Sequence, residues 1–340
     1  MPFEAFLSRY DPGRRWTVSE GESGWNNTTR IAENDLGDKR VLRIYETHKD
    51  AEKIAFEHDV LLKLSEATLP FAVPRPIALQ DGTSFATLAD GTGRFAALFT
   101  YTAGKRPNGS EPAVAESIGE AVGRLSLALR ELRTTAAPAY LPCYELEQTH
   151  PSCPGSVIAS FCEAPPAAFH DLQESLLRIG DAMRVFQSAL QTVRSLPHQL
   201  VHGDINDSNL LADLNDSTRI AAILDFEFCT IELRAMEPAV ALAGLIGESG
   251  DLGAASAFLN GFGQIAPLIE AEIDALPVLM RLRRLDVFVH FLGRYLSGVD
   301  EAAVLRQQTL ETAAGLALLD RQEDEIRSMC RETMLKKASG

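Results

Sequence analysis

The spacing of apolar residues changes character about a third of the way along the chain. Residues 40–45 (RVLRIY) alternate apolar and charged side chains, which predicts a strand. Residues 50–67 carry Ile54, Leu61, Leu62 and Leu64 at near-helical spacing with charges between them, which predicts a helix. Pro70, Pro74 and Pro76 end it. Residues 84–88 and 94–100 read as two strands joined by a turn around Asp90, Gly91 and Gly93. Thr102-Ala103-Gly104, followed by Pro107-Asn108-Gly109, marks a boundary. Beyond it, residues 111–133 place Ile118, Val122, Leu125 and Leu129 on one stripe of a long amphipathic helix. Residues 136–166 are punctuated by proline and show no clear period. Residues 171–195 predict another helix, residues 200–225 short strands around a loop, and helices dominate from Pro238 onward. No repeat at a fixed period is present. The expectation is an α+β chain of two lobes: a small β-rich unit over residues 1–102 and a larger, mainly helical unit over 103–340. Ligands commonly bind in the cleft between two such units.

Composition narrows the chemistry. The 340 residues are 46% hydrophobic and 23% charged, an ordinary globular balance with ample material for a core. A chain of this length usually divides, because single cores stop growing near ~250–300 residues. The net charge of −15 argues against nucleic acid, whose phosphates need clustered Lys and Arg. It suits a small substrate carrying an amine. The first residues lack the basic and apolar regions of a signal peptide, and the longest apolar runs are too short to span a bilayer, so no membrane partner is expected. Five cysteines, an odd number without a CxxC pair, fit reduced thiols in a cytoplasmic protein. His198 and His202 are four apart, but Pro197 and the apolar run between them do not suggest the helix a metal pair would use.

Residues 200–211 (LVHGDINDSNLL) carry the chemistry. His202-Gly203-Asp204 follows an apolar strand, Asn209 comes five positions after the aspartate, and Asp225-Phe226 follows a second apolar strand. Two strands ending this way bring the acids together. Phosphoryl transfer asks little covalent work of a protein; it needs a positioned nucleophile and cations over phosphate oxygens. Asp204 can orient the substrate hydroxyl and take its proton. Asn209 and Asp225 offer the hard oxygen ligands that Mg²⁺ prefers. His202 is read as the member of this catalytic loop that fixes it by hydrogen bonding.

His202-Gly203-Asp204, Asn209 and Asp225 resemble the catalytic loop and metal-binding aspartate of the aminoglycoside phosphotransferase and homoserine kinase-like family. That resemblance covers residues ~15–330 and implies a protein-kinase-like fold, ATP and Mg²⁺ as cofactors, and a small-molecule hydroxyl as phosphate acceptor. It places Asp204 as catalytic base and Asn209 and Asp225 as metal ligands. Arg43 stands where the family strand usually carries a phosphate-contacting lysine, and Glu57 is similar to the helix glutamate that pairs with that cation. Ser23, Gly24, Asn27 and Thr28 fall in the phosphate-covering turn. The segment 99–104 (FTYTAG) resembles the hinge, which implies the Thr100 carbonyl and the Thr102 amide as adenine partners. Glu237 stands near where the family often has an aspartate supporting the loop. Among acceptors, the turn leans towards homoserine or a related amino alcohol, with an aminoglycoside next; choline, ethanolamine and a thioribose-type sugar are the other candidates. The alternative is a non-catalytic nucleotide-binding protein on the same fold, which the arginine in place of lysine and the absence of a GxGxxG loop would suit. A regulated protein kinase is disfavoured, because Glu227 stands where a glycine would follow Asp225-Phe226.

Overall fold

The computed structural model describes residues 2–21, 26–46, 50–138, 140–246 and 250–335. A short helix α1 (Pro2–Leu7) precedes strands β1 (Trp16–Glu20), β2 (Asn27–Asn34) and β3 (Lys39–Tyr45). Helix α2 (Ala51–Leu64) follows, capped by the Asp50 carboxylate accepting from the Glu52 amide at 2.9 Å. Then come β4 (Ala86–Thr87) and β5 (Phe95–Thr100). The five strands form one antiparallel sheet in the order β1-β2-β3-β5-β4. Residues 84–88 were expected to form a full strand, but only Ala86 and Thr87 pair with β5.

Strand periodicity assigns the two faces of this sheet. Leu42 and Ile44 of β3 and Ala96 and Leu98 of β5 bury with Phe6 and Leu7 of α1 in a small core. The intervening Tyr45, Ala97 and Phe99 face the other way and bury with Ile54, Val60 and Leu61 of α2. Arg43 shares that second face by parity, so it points at α2.

The second lobe is mainly helical. After α3 (Pro112–Glu131) come α4 (Leu146–Thr149) and α5 (Gly155–Glu163), both within the stretch whose proline content hid any period. The helix expected over residues 171–195 is α6 (Gln173–Arg194). Strands β6 (His198–Val201), β7 (Leu210–Ala212), β8 (Ile220–Ile223) and β9 (Thr230–Leu233) form two antiparallel ribbons, β6-β9 and β7-β8. Helices α7 (Met236–Leu245), α8 (Gly253–Ile265), α9 (Glu270–Leu296), α10 (Ala302–Arg321) and α11 (Glu323–Leu335) complete the chain. Phe258, Phe262, Phe288 and Leu285 are fully buried in a core that runs from α2 to α11. No described helix is long and apolar enough to cross a membrane.

The β7-β8 ribbon is tied to two chain segments on the first-lobe side. Ala72, beyond α2, receives the Ile223 amide on its carbonyl at 3.0 Å and gives its own amide to the Ala221 carbonyl at 2.8 Å. Lys105, just past the hinge segment, exchanges both backbone hydrogen bonds with Ala212, at 3.0 and 2.8 Å.

Candidate active site

The loop between β6 and β7 is shaped by three backbone devices. The buried carboxylate of Glu237, in the first turn of α7, accepts from the His202 amide at 2.6 Å and the Gly203 amide at 3.4 Å. Burial raises the pKa of Glu237, and His202 and these amides work in the opposite direction. Gly203 has φ +83, and a Cβ placed there would lie 3.2 Å from the Phe228 carbonyl oxygen. Glycine therefore suits the position twice, by conformation and by space. The His202 ring is wholly buried. Its Nδ1 accepts the Asp204 amide at 3.2 Å, which leaves the proton on Nε2 to donate to the Leu224 carbonyl at 2.8 Å. The ring packs edge-on against Phe226, centroids 4.5 Å apart. His202 is thus a strut between the two motif segments, as the sequence suggested.

Asn209 and Asp225 meet across the same ribbon. Leu224 donates to the Asn209 carbonyl at 2.8 Å. The Asn209 side-chain amide donates to the Asp204 carbonyl and to Asp204 Oδ2, each at 2.9 Å. That fixes the amide so that its oxygen is the atom left for a cation. Asp225 is the one non-glycine residue with positive φ, +61, among the described residues. Left-handed backbone costs roughly 1–2 kcal/mol for an L-residue, which points to a position held for function. Its Oδ1 is buried and accepts no hydrogen bond in the structure. A buried carboxylate oxygen held by the Arg43 ion pair and by no hydrogen bond, with the Asn209 amide oxygen at the same end of the ribbon, is a donor set that fits a hard divalent cation.

Arg43 reaches this point from β3. Its guanidinium lies 2.7 Å from Glu57 of α2 and 3.3 Å from Asp225, over the Phe99 ring. Burial works against the charge, but Asp225 and Glu57 outweigh it and raise the arginine pKa. Burial raises the pKa of Glu57 despite Arg43. The pairing of Arg43 with Glu57 expected from the sequence is therefore present, and Arg43 also touches Asp225.

Two cavities meet here. One, of about 770 Å³, lies between the β-sheet and the β7-β8 ribbon and is lined by Asn27, Arg43, Thr100, Thr102, Asn209 and Asp225. Thr100 is pinned by backbone and side-chain bonds to Arg75, each 3.0 Å. The other, of about 340 Å³, opens beside Asp204 and is walled by Tyr140, His150, Glu232, Arg283, Asp286 and His290. Asn26 lines both. Ser23 and Gly24 lie outside the described residues. Thr28 is set apart from the other predicted residues, its hydroxyl donating to Glu46 at 2.9 Å.

Several residues of the site carry no signal in the sequence pattern. Glu227, two positions past Asp225, accepts the side-chain amides of Asn26 at 2.9 Å and Asn27 at 2.6 Å across the cleft. Burial, reinforced by Asp225, pushes its pKa up to about 8. Arg283 of α9 is paired with Asp204 itself. Glu232 accepts the Cys143 amide at 2.5 Å and the Leu233 amide at 2.6 Å, and burial raises its pKa to about 7. His290 is pushed down to about 4, chiefly by burial, and is neutral near pH 7. Only the position of Glu227 beside the aspartate could have been found by spacing.

Comparison with known proteins places this geometry. The model of the family described as "Phosphotransferase enzyme family" matches residues 17–273. Homoserine kinase of Acidiphilium cryptum is 28% identical over 313 residues, covering 90% of each chain. Among solved structures, a microcompartment-associated aminopropanol kinase is similar at TM-score 0.68 and 18% identity, over 95% of this chain and 97% of that one. An amicoumacin kinase in complex with AMP-PNP and Ca²⁺ is similar at TM-score 0.64 and 16% identity, over 91% of each chain. At these identities the structures establish a shared kinase-like fold, with a small antiparallel sheet over a larger helical part.

Proposed function

The chain belongs to the phosphotransferase enzyme family and is a small-molecule kinase, and on that premise we propose that it moves the γ-phosphoryl group of ATP to the hydroxyl of a homoserine-like amino alcohol. The observation that carries this reading is the junction of the two cavities. Asp204 on the β6–β7 loop and Asn209 and Asp225 at the end of the β7-β8 ribbon meet there, with a nucleotide-sized space on one side and a smaller one on the other. The smaller cavity is at the low end of ligand-pocket volumes, which favours a small metabolite over a large antibiotic.

In this reading residues 1–102 bind nucleotide and residues 103–340 supply the catalytic loop and the acceptor site. Thr100 and Thr102 face adenine, and Arg43, held by Glu57, contacts phosphate. Asn27, at the start of β2, lines the nucleotide space beside Arg43. Asn209 and Asp225 would hold Mg²⁺, which, when bound, offsets charge on the phosphate oxygens. Asp204 orients the acceptor hydroxyl and receives its proton as the acceptor oxygen forms a bond to the γ-phosphorus. The bond from that phosphorus to the β-phosphate bridging oxygen breaks, and ADP leaves with the electron pair. His202 and Glu237 do not react; they hold the loop so that Asp204 meets the hydroxyl. The amine of such an acceptor suits the Asp286 carboxylate on the cavity wall. All five thiols are free, as a reducing cytoplasm would keep them.

The test is ADP release from Mg-ATP against a panel of small hydroxyl compounds, run beside Asp204→Asn. Turnover of an amino alcohol should fall by roughly 10²–10⁴-fold in the variant, with nucleotide affinity kept. Near-normal turnover in Asp204→Asn would remove Asp204 from this role. Nucleotide binding without transfer to any acceptor would favour a binding protein on the same fold.

A further inference from the structure

The acceptor cavity contains a cation that the chemistry above leaves unused. Arg283 projects from α9 into the wall beside Asp204, and one of its Nη atoms donates to Asp204 Oδ1. Its other Nη lies 3.9 Å from Asp286 Oδ2, and Asp286 Oδ1 in turn is 2.9 Å from His150 Nε2. Asp204 Oδ2 meanwhile accepts the Asn209 amide at 2.9 Å. Both oxygens of the base are thus engaged, and an incoming hydroxyl must compete for one of them.

A permanent arginine partner would keep a donor on Asp204 Oδ1, where the acceptor hydroxyl has to meet it. The pairing makes chemical sense if the acceptor relieves it. The pair lines the cavity, with side chains 25% and 18% exposed, so an entering molecule can reach both members. A guanidinium has five N–H donors in a planar fork suited to a carboxylate, and the Asp204 contact uses one of them.

We propose that Arg283 is the carboxylate receptor of the acceptor site and a latch on Asp204: a carboxylate on the acceptor takes over the guanidinium and frees Asp204 Oδ1 for the acceptor hydroxyl. The acceptor class is then a hydroxy amino acid rather than a simple amino alcohol, and Arg283 is its specificity-determining residue. Asp286, on the same wall, is the anionic partner for the ammonium group. This inference rests on the reading of Asp204 as the base.

The experiment compares L-homoserine with 3-amino-1-propanol, the same chain without its carboxylate, in the wild type, Arg283→Met and Arg283→Lys. Turnover is read as ADP release, and acceptor binding by calorimetry in the presence of Mg-ADP. The wild type should prefer L-homoserine by about 10²-fold or more in kcat/KM. Arg283→Met should lose that preference by about 10²–10³-fold, the range expected when one partner of a buried charge pair is truncated, with KM rising more than kcat falls. Arg283→Lys should recover part of it. Should Arg283→Met fail to fold, judged by Mg-ATP affinity, the wild-type comparison decides alone. Equal use of both acceptors by the wild type, or equal loss of both in Arg283→Met, overturns the proposal. Binding of L-homoserine that needs Arg283, with no transfer to any acceptor, supports the receptor while sinking the kinase reading. A wild type that binds neither acceptor overturns the receptor.

Discussion

Gly203→Ala separates the catalytic loop from the rest of the molecule more sharply than any change to a charged residue. The glycine has φ +83, where an alanine costs roughly 1–2 kcal/mol. The added Cβ would lie 3.2 Å from the Phe228 carbonyl oxygen, tight enough that a neighbour must yield by a few tenths of an ångström. Overpacking of this kind adds about 1–3 kcal/mol, while reduced freedom of the unfolded chain returns ~0.4–1 kcal/mol. The expected net loss is about 2–4 kcal/mol. The displacement falls on the residue before Asp204; a shift of about 1 Å at a reacting group costs on the order of 10²-fold in rate, so a few tenths of an ångström costs about 3- to 10-fold. The control is Gly37→Ala in the β2–β3 turn. There φ is +84 and no atom lies within 4 Å of the added Cβ, so only the conformational cost applies. Urea unfolding gives the two stabilities, and ADP release with nucleotide calorimetry gives kcat and Kd. Gly203→Ala should lose about 1–3 kcal/mol more than Gly37→Ala and about 3- to 10-fold in kcat, with nucleotide Kd unchanged. If the two variants match in stability and both keep wild-type turnover, the coupling of this turn to Asp204 is wrong.

Three further outcomes follow from the geometry. Burial raises Glu232 from 4.5 to about 7, so its contribution to stability is full below about pH 4.5 and is lost as pH rises through about 7; the shift converts to about 3 kcal/mol. Glu232→Gln should flatten that part of the wild-type fall in urea midpoint between pH 4.5 and 8, and an unaltered slope would refute the assignment. Arg43→Met strips Glu57 and Asp225 of their shared cation and should destabilise the fold by about 3–5 kcal/mol while weakening ATP binding; a variant as stable as wild type would show that the triad contributes nothing net. Asn26→Ala removes a bond to Glu227 and a residue common to both cavities, so nucleotide Kd and acceptor KM should rise together, by about 3- to 30-fold. A rise in one alone would place Asn26 on one side only.

The catalytic segment was legible because its parts are close in sequence. His202, Asp204, Asn209 and Asp225 fall within 24 residues at the ends of β6, β7 and β8, so spacing and flanking apolar strands were enough to bring them together. Arg43 and Glu57 were legible only through the family resemblance; strand parity and helix phase, seen in the fold, are why they meet. Arg283 was not. It follows Asp204 by 79 residues and sits in RLRRLD, where several charges on a helix read as a solvated face. The Glu227 contacts with Asn26 and Asn27 span about 200 residues, and no local period reports such a pairing. The short helices α4 and α5 were hidden by proline content, since a four-residue helix is too brief to show a repeat. What escaped the sequence is the acceptor wall, built from residues that only tertiary packing brings together.

The β7-β8 ribbon also has a mechanical meaning. Both segments tied to it, at Ala72 and at Lys105, are held by paired backbone hydrogen bonds, which resist sliding because a slip of register breaks them all. Asn209 and Asp225 lie at one end of that same ribbon, so the bonds that hold its register also hold the distance between the two residues. A change that frays the ribbon at Ala72 or at Lys105 is therefore felt at both of them at once.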